Sequence, residues 1–390
     1  MTPDKPAAVS PHSPLTAYVL RGLGNCWMPD AGCWSHCYHL DGRPQPNESI
    51  PHSDVFYSLN VLLGLSRVPD RAAIGLDLEA IFEGCVRRLL TLPVRKYAYG
   101  MALWSGAELG FALPGDVERP IHAFLKNRDN WRDLKAQDIG ILVTGLSAQA
   151  KRGRATADTE IVHELFEFLV AHYTCRSALF FDAAHGLRRN FGSFATQTYL
   201  TIACYNYHHA FGDERALRLA NACARKLMSL QGPLGEWPWF YHVPSGKVVD
   251  FYEVYSVHQD GMAPAWLEFA EKQGVTGATD AIITGFNWIL GKNQMGESML
   301  RPDLGMVVRS QVRSGELTNK SSRVLRSVFH AYMSPSQGLA RPDRLTLRLE
   351  CRSYHLGWVL WAFAGRDDLE MITHADAFVR VDAAQAAEPR

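Results

Sequence analysis

The residues best equipped for chemistry crowd into Asp250–Asp260, where eleven positions hold three carboxylates, two tyrosines, a histidine and a glutamine. If the end of this run is helical, Tyr255, His258 and Gln259 share a face, because positions three and four apart are neighbours on a helix. A carboxylic acid that protonates a leaving oxygen, paired with a carboxylate that activates water, is the equipment for cleaving a glycosidic bond. Glu253 and Asp260 are candidates for one half of such a pair. The same residues equally suit a capping cluster, with Glu253 or Ser256 satisfying free helix N–H groups and Asp260 in a buried hydrogen bond.

Just upstream, Gln231–Tyr241 places Trp237, Trp239 and Tyr241 beside Glu236. Flat aromatic faces stack on sugar rings and on isoprenoids alike; alternatively, Gln231 and Trp237 staple this loop to a neighbouring helix. Polar residues recur ahead of other apolar helical stretches: Asp54 before Tyr57, Asp138 beside Gln137, and Arg352 with Tyr354 and His355. Asp54, Asp138 or Glu236 is therefore expected across a central funnel from Glu253 or Asp260. Tyr255, His258, Gln259, Arg352 and His355 would position hydroxyl or carboxylate groups, and Trp237, Trp239 or Tyr241 would pack on a ring. Such a lining suits a hydroxyl-rich or anionic ligand better than a hydrocarbon.

Other chemistries lack their signatures. There is no G-x-S-x-G, no G-x-G-x-x-G after a strand, no Walker A and no H-E-x-x-H. Cys26, Cys33 and Cys37, with His36 and His39 nearby, have the spacing C-x6-C-x3-C, which matches no common zinc frame. No metal and no other cofactor is expected. Forty basic residues balance forty acidic ones with no basic run, so the footprint of a nucleic-acid binder is missing. Met1–Leu15 lacks a basic segment followed by an apolar core, and no apolar stretch approaches the ~20 residues that span a bilayer. The eight cysteines, several inside apolar helical patterns, read as reduced thiols, and the cytoplasm is the expected compartment.

The elements that must position these groups are helices of two kinds. One-sided apolar stripes mark amphipathic helices: Leu78, Ile81, Phe82, Cys85, Val86 and Leu89 in one; Ile161, Leu165, Phe168 and Leu169 in another. Leu217–Leu230, after an Asp213 cap, and Ile282–Leu290 give two more. Between them lie helices apolar on nearly every side: Val55–Leu65, Tyr97–Leu113, Gln137–Ala150, Phe194–Phe211, Val257–Ala270 and Tyr354–Ala364. Helices without a polar face are buried all round. An inner ring of such helices wrapped by amphipathic ones satisfies the alternation, which recurs at spacings of about 40 to 60 residues. Ala178–Ser193 and Glu236–Asp250 read as long loops or hairpins, and alternation in Met306–Val312 and Leu345–Leu349 reads as strand.

Two resemblances follow. Gln231–Trp237, written Q-x3-G-x-W, looks like the Gln–Trp repeat of squalene cyclases and related terpenoid cyclases, which are helical toroids, but the D-x-D-D acid of the protonating cyclases is missing. Asn287–Ser298 (NWILGKNQMGES) resembles the YILG-x-NP-x-G-x-S segment of inverting endoglucanases with six helical hairpins. The rhythm over about residues 50–370 is similar to the six-hairpin glycosidase superfamily of inverting hydrolases, unsaturated-uronyl hydrolases, sugar epimerases and some polysaccharide lyases.

The expectation is an all-α chain, an (α/α)6 toroid of helical hairpins with a few short strands in its loops. It forms one domain over residues 1–390, with 1–14 and 374–390 as loose tails. The expected activity is glycoside hydrolysis of an oligo- or polysaccharide by carboxylate acid/base catalysis, with the carbohydrate as the partner. The alternatives are a terpenoid cyclase with an aromatic, carboxylate-poor funnel, a lyase or epimerase acting on uronate residues, and a non-catalytic sugar-binding toroid.

Overall fold

Two kinds of sequence give two rings of helix. The computed structural model describes residues 12–153, 159–314 and 344–378, with Leu325, Phe329 and Tyr332. Among these, the outer helices are α1 (Pro14–Cys26), α3 (Leu78–Arg88), α5 (Gly115–Lys126), α7 (Thr159–Tyr173), α9 (Glu214–Met228) and α11 (Ala278–Ile289). The inner helices are α2 (Pro51–Leu65), α4 (Tyr97–Leu109), α6 (Ala136–Lys151), α8 (Phe194–Phe211), α10 (Ala263–Lys272) and α12 (Ser353–Phe363). Each inner helix packs on the next, and α12 packs back on α2, which closes the toroid. No helix among the described residues is long and apolar enough to cross a membrane.

Glycine sets how tightly the ring closes. A Cβ on Gly64 of α2 would sit 2.1 Å from the Gly357 carbonyl oxygen of α12, and one on Gly145 of α6 would sit 2.4 Å from the Gly100 carbonyl of α4. The helices touch backbone to backbone at these points. Below the mouth the ring is filled by tryptophan: Trp104 of α4 meets Trp358 and Trp361 of α12 edge-on, with ring centroids 6.0 and 5.3 Å apart. All three are buried.

The strands are short, and every pair among the described residues is antiparallel. After the paired strands β1 (Trp27–Met28) and β2 (Cys33–Trp34), those leading to the site are β3 (Cys37–His39), β4 (Asn47–Glu48), β5 (Phe191–Ser193), β6 (Phe240–His242), β7 (Lys247–Asp250) and β8 (Val254–Tyr255). The two expected loops meet, because β5 from the first pairs with β6 from the second. The alternating segments further on supply strands Ser310–Arg313 and Leu345–Arg348, which pair with each other, and Glu350–Cys351 pairs with β3.

Some boundaries differ from expectation. α4 stops at Leu109 because Gly110 takes a left-handed φ of 83°. The stretch expected as one helix from Val257 opens with a π turn, His258–Met262, before α10. α1 and α5 have no counterpart among the expected helices; α5 carries Pro120 in its interior, and only Val117, Ile121 and Leu125 face the core. Of the expected tails, residues 1–11 and 379–390 lie outside the described residues. Ser13 caps α1, and Phe378 is buried 5.1 Å from the Tyr18 ring.

The closing glycine contact yields a direct test. Gly357→Ala should lower stability by about 1–3 kcal/mol through overpacking against backbone that cannot move aside. Gly24→Ala, on α1 with nothing within 4 Å of the new methyl, should instead be neutral or stabilising by about 0.5–1 kcal/mol. Urea unfolding midpoints of the two variants check both signs.

Candidate active site

All six inner helices bring their N-terminal turns to one side of the ring, where a cavity of about 460 Å³ opens. Tyr57 comes from α2, Tyr97 from α4, Asp138 from α6, Thr196 and Tyr199 from α8, His258 from the π turn and Tyr354 from α12. Helix N-termini carry unpaired N–H groups and the positive end of the helix dipole, so the mouth favours negative charge before any side chain is counted. The lining adds Arg95, Lys135, Arg188 and Arg309 against two carboxylates, Asp138 and Asp182.

Asp138 is the third residue of α6 and ties that helix to its neighbour. Its Oδ2 accepts the Lys135 N–H at 2.9 Å and its Oδ1 the Tyr97 N–H of α4 at 3.0 Å. Burial nevertheless raises its pKa above the ordinary aspartate value, because both partners are neutral and the nearest charges weigh less than the lost water. Asp182 is held differently. Its Oδ1 accepts from the Ser193 N–H (2.8 Å), the Ser193 hydroxyl (3.1 Å) and the Thr196 hydroxyl (2.6 Å), the capping groups of α8. Nothing among the described residues donates to Oδ2, the oxygen left for the cavity. Gln137 of α6 reaches Ser193 at 3.4 Å, so the two carboxylates belong to adjoining hairpins.

Aromatic rings form the rest of the wall. Tyr57 and Tyr354 pack at 4.6 Å across the closing seam, Phe56 and Tyr97 at 4.3 Å, and Trp239 stacks on Phe240 at 4.6 Å. His258 lies between Phe194 (4.4 Å) and Tyr255 (5.1 Å), and burial lowers its pKa to about 3, leaving a neutral imidazole at the cavity. Arg309 sits over the Tyr255 ring and is clasped by Glu350. Burial works against its charge, but Tyr255 and Glu350 hold its pKa above the usual value.

Of the residues singled out in the sequence, Tyr57, Gln137, Asp138, Trp239, Tyr255, His258 and Tyr354 line this cavity. The others lie behind it. Asp260, expected to face the funnel, is buried and receives His355 Nε2 at 2.6 Å, so each residue is taken up by the other. Glu253 is also buried; Arg348 Nε at 2.8 Å and the Ser310 hydroxyl hold it, and against the upward pull of burial they keep its pKa below the ordinary value. Asp54 accepts the His36 N–H at 2.8 Å and the Ser49 hydroxyl at 2.6 Å. Glu236 accepts the Leu234 N–H at 2.9 Å within its own loop. Gln259 joins the Trp237 N–H to the Tyr255 carbonyl, Trp237 packs on Trp266, and Tyr241 is fully buried. Gln231 reaches the Ala281 carbonyl of α11 at 3.1 Å, stapling the loop to an outer helix. Arg352 pairs with Glu350 at 3.0 Å.

The sequence reading missed Asp182, Arg188, Arg309, Lys135 and Arg95. Asp182 lies in a stretch recognised as a loop, and its distance from Ser193 and the start of α8 was the available signal. Arg309 lies in the alternating run Met306–Val312, but alternation names a face and not a neighbour; it is placed by backbone bonds to Ser256 and Glu350.

No protein-family model matches the chain, and no curated protein matches it in sequence. Solved structures do match. A cellobiose 2-epimerase from Bacillus thermoamylovorans superposes with a TM-score of 0.59 at 11% identity, over 90% of this chain and 97% of that one. An unsaturated glucuronyl hydrolase specific for heparin gives 0.58 at 9%, over 95% and 97%. A possible member of the GH105 family from Salmonella enterica gives 0.56 at 11%, over 89% and 91%. The fold is theirs.

The Asp260–His355 pair separates holding a site from forming it. Asp260→Ala should cost about 3–5 kcal/mol, because it leaves a buried partner uncompensated. The loss should appear in thermal or urea unfolding. A variant that unfolds like the parent would refute the pairing.

Proposed function

We propose that the chain is a carbohydrate-active enzyme, a glycoside hydrolase that takes an acidic sugar residue of an oligo- or polysaccharide into the mouth of the ring. One observation carries the reading: two buried carboxyls on adjoining inner hairpins face one cavity, one with its pKa raised by burial and the other fixed by three donors on a single oxygen. Asp138 acts as the general acid. Its protonated form survives to higher pH than an ordinary aspartate, and in that form it gives its proton to the glycosidic oxygen. Asp182 acts as the base, with Oδ1 anchored and Oδ2 free to take a proton from the attacking water. Arg95, Lys135, Arg188 and Arg309 attract the substrate's negative charge, and Tyr57, Tyr97, Tyr354 and Trp239 pack on sugar rings. That two of the similar folds are described as an unsaturated glucuronyl hydrolase and a cellobiose 2-epimerase supports a sugar as the ligand.

A second reading rests on His258. Its imidazole lies at the cavity beside Tyr255, in a position to meet a proton on a sugar carbon, as an epimerase or lyase requires, although burial makes it a weaker base than an ordinary histidine. The terpenoid alternative wanted a carboxylate-poor funnel, and this lining, with two carboxylates and four cations, gives it no support.

The test is turnover of neutral and uronate-containing oligosaccharides, with products followed by NMR. Hydrolysis of uronate substrates is expected, and Asp138→Asn and Asp182→Asn should each lower kcat by about 10²–10⁴-fold with little change in KM. The acid form of Asp138 is lost as pH rises through its raised pKa, so the wild-type rate should fall on the alkaline side and that limb should disappear in Asp138→Asn. Wild-type rates in both variants refute the assignment. A product inverted at one carbon with no bond cleaved moves the chemistry to His258.

A further inference from the structure

A second cluster of reactive side chains lies outside the cavity, on the small sheet around β3. Cys37 and His39 are two residues apart on that strand, so their side chains leave the same face. Glu48 of β4 stands directly opposite Cys37 in the register and joins them there. Cys37 Sγ is 3.7 Å from His39 Nε2, which is 2.6 Å from Glu48 Oε2, and one ligand atom from each of the three lies within 4.8 Å of the others. We infer that Cys37, His39 and Glu48 bind a divalent, thiophilic cation of the zinc class, with a fourth position open to water.

The donor set selects the ion. Thiolate and imidazole favour zinc and its neighbours over magnesium or calcium, which take oxygen ligands. Tetrahedral zinc with its usual bond lengths to sulfur and nitrogen separates those two atoms by about 3.5 Å, close to the Cys37–His39 spacing. Glu48 sits nearer His39 than two ligands of one shell would. Its side chain is 48% exposed, so it can swing outward without disturbing the core.

Binding replaces the S–H bond of Cys37 with a sulfur–metal bond and releases that proton to solvent. Without an ion, burial pushes the Cys37 thiol up to about 12, although the Arg352 charge pulls it back. The thiol then donates to Glu350 Oε2 at 3.5 Å. Glu350 stands opposite His39 on the third strand, and its other oxygen holds Arg309 and Arg352. An ion here would pin the β3–β4 hairpin beside the carboxylate that positions a cation of the cavity wall. The site does not use the cysteine spacing that matched no zinc frame: Cys33 is engaged by Arg88 at 3.4 Å, the second ligand comes from the same strand as Cys37, and the third from the strand paired with it.

The test uses the full chain, stripped with a chelator and titrated with cobalt(II) as a spectroscopic substitute. A thiolate-to-cobalt charge-transfer band should grow to one equivalent per chain, vanish on adding zinc(II), and be missing in Cys37→Ser. Glu48→Gln, at an exposed position that cannot unfold the core, should weaken cobalt binding at least tenfold, whereas Cys33→Ser should leave the band in place. No band at one equivalent, a band that survives Cys37→Ser, or full affinity in Glu48→Gln would each overturn the assignment.

Discussion

Everything at the mouth depends on α12 meeting α2 closely enough to close the ring. The seam is a contact between two glycine backbones, Gly64 and Gly357, with no side chain between them. Two turns away on one helix and one on the other, the same seam brings Tyr57 and Tyr354 together and sets the width of that wall. Six helix N-termini can share one small cavity only because the helices that carry them lie this close. Their combined dipoles and the cations around them produce the positive field that a buried carboxylate at Asp138 or Asp182 moderates.

The buried carboxylates fall into two groups by the partners they keep. Asp250 is matched by Arg313, Glu253 by Arg348, Glu350 by Arg309 and Arg352, and Asp260 by His355. These pairs bind loops to the ring, and their charge is spent on a fixed neighbour. Asp138 and Asp182 are held by peptide N–H groups and hydroxyls instead, as is Asp54, but of these three only Asp138 and Asp182 line the cavity. Neutral donors fix direction without neutralising charge, which leaves these two groups able to exchange a proton with something that enters the cavity.

That division explains what the sequence could and could not reveal. The inner helices were legible because none has a polar face, and four of the outer ones because an apolar stripe runs along them; α1 went unread although Leu15, Tyr18, Val19, Leu23 and Cys26 form such a stripe, and Pro120 interrupts the short pattern of α5. Asp138 was legible because it opens a buried helix. The crowding of Asp250–Asp260 was visible, but its meaning lay elsewhere in the chain: Glu253 and Asp260 find their partners 95 residues away, at Arg348 and His355. Local density of ionisable residues marked an ion-pair network behind the cavity and not the carboxylates that line it. Asp182 sits in an irregular segment and Arg309 at the edge of a short strand, where position is decided by bonds to backbone elsewhere in the chain that no local pattern records.

The tryptophan plug of Trp104, Trp358 and Trp361 turns the toroid from a tunnel into a cup. A chain molecule cannot thread through a cup. It can present only an end, or a short side branch, and whatever enters the mouth must leave by the way it came in.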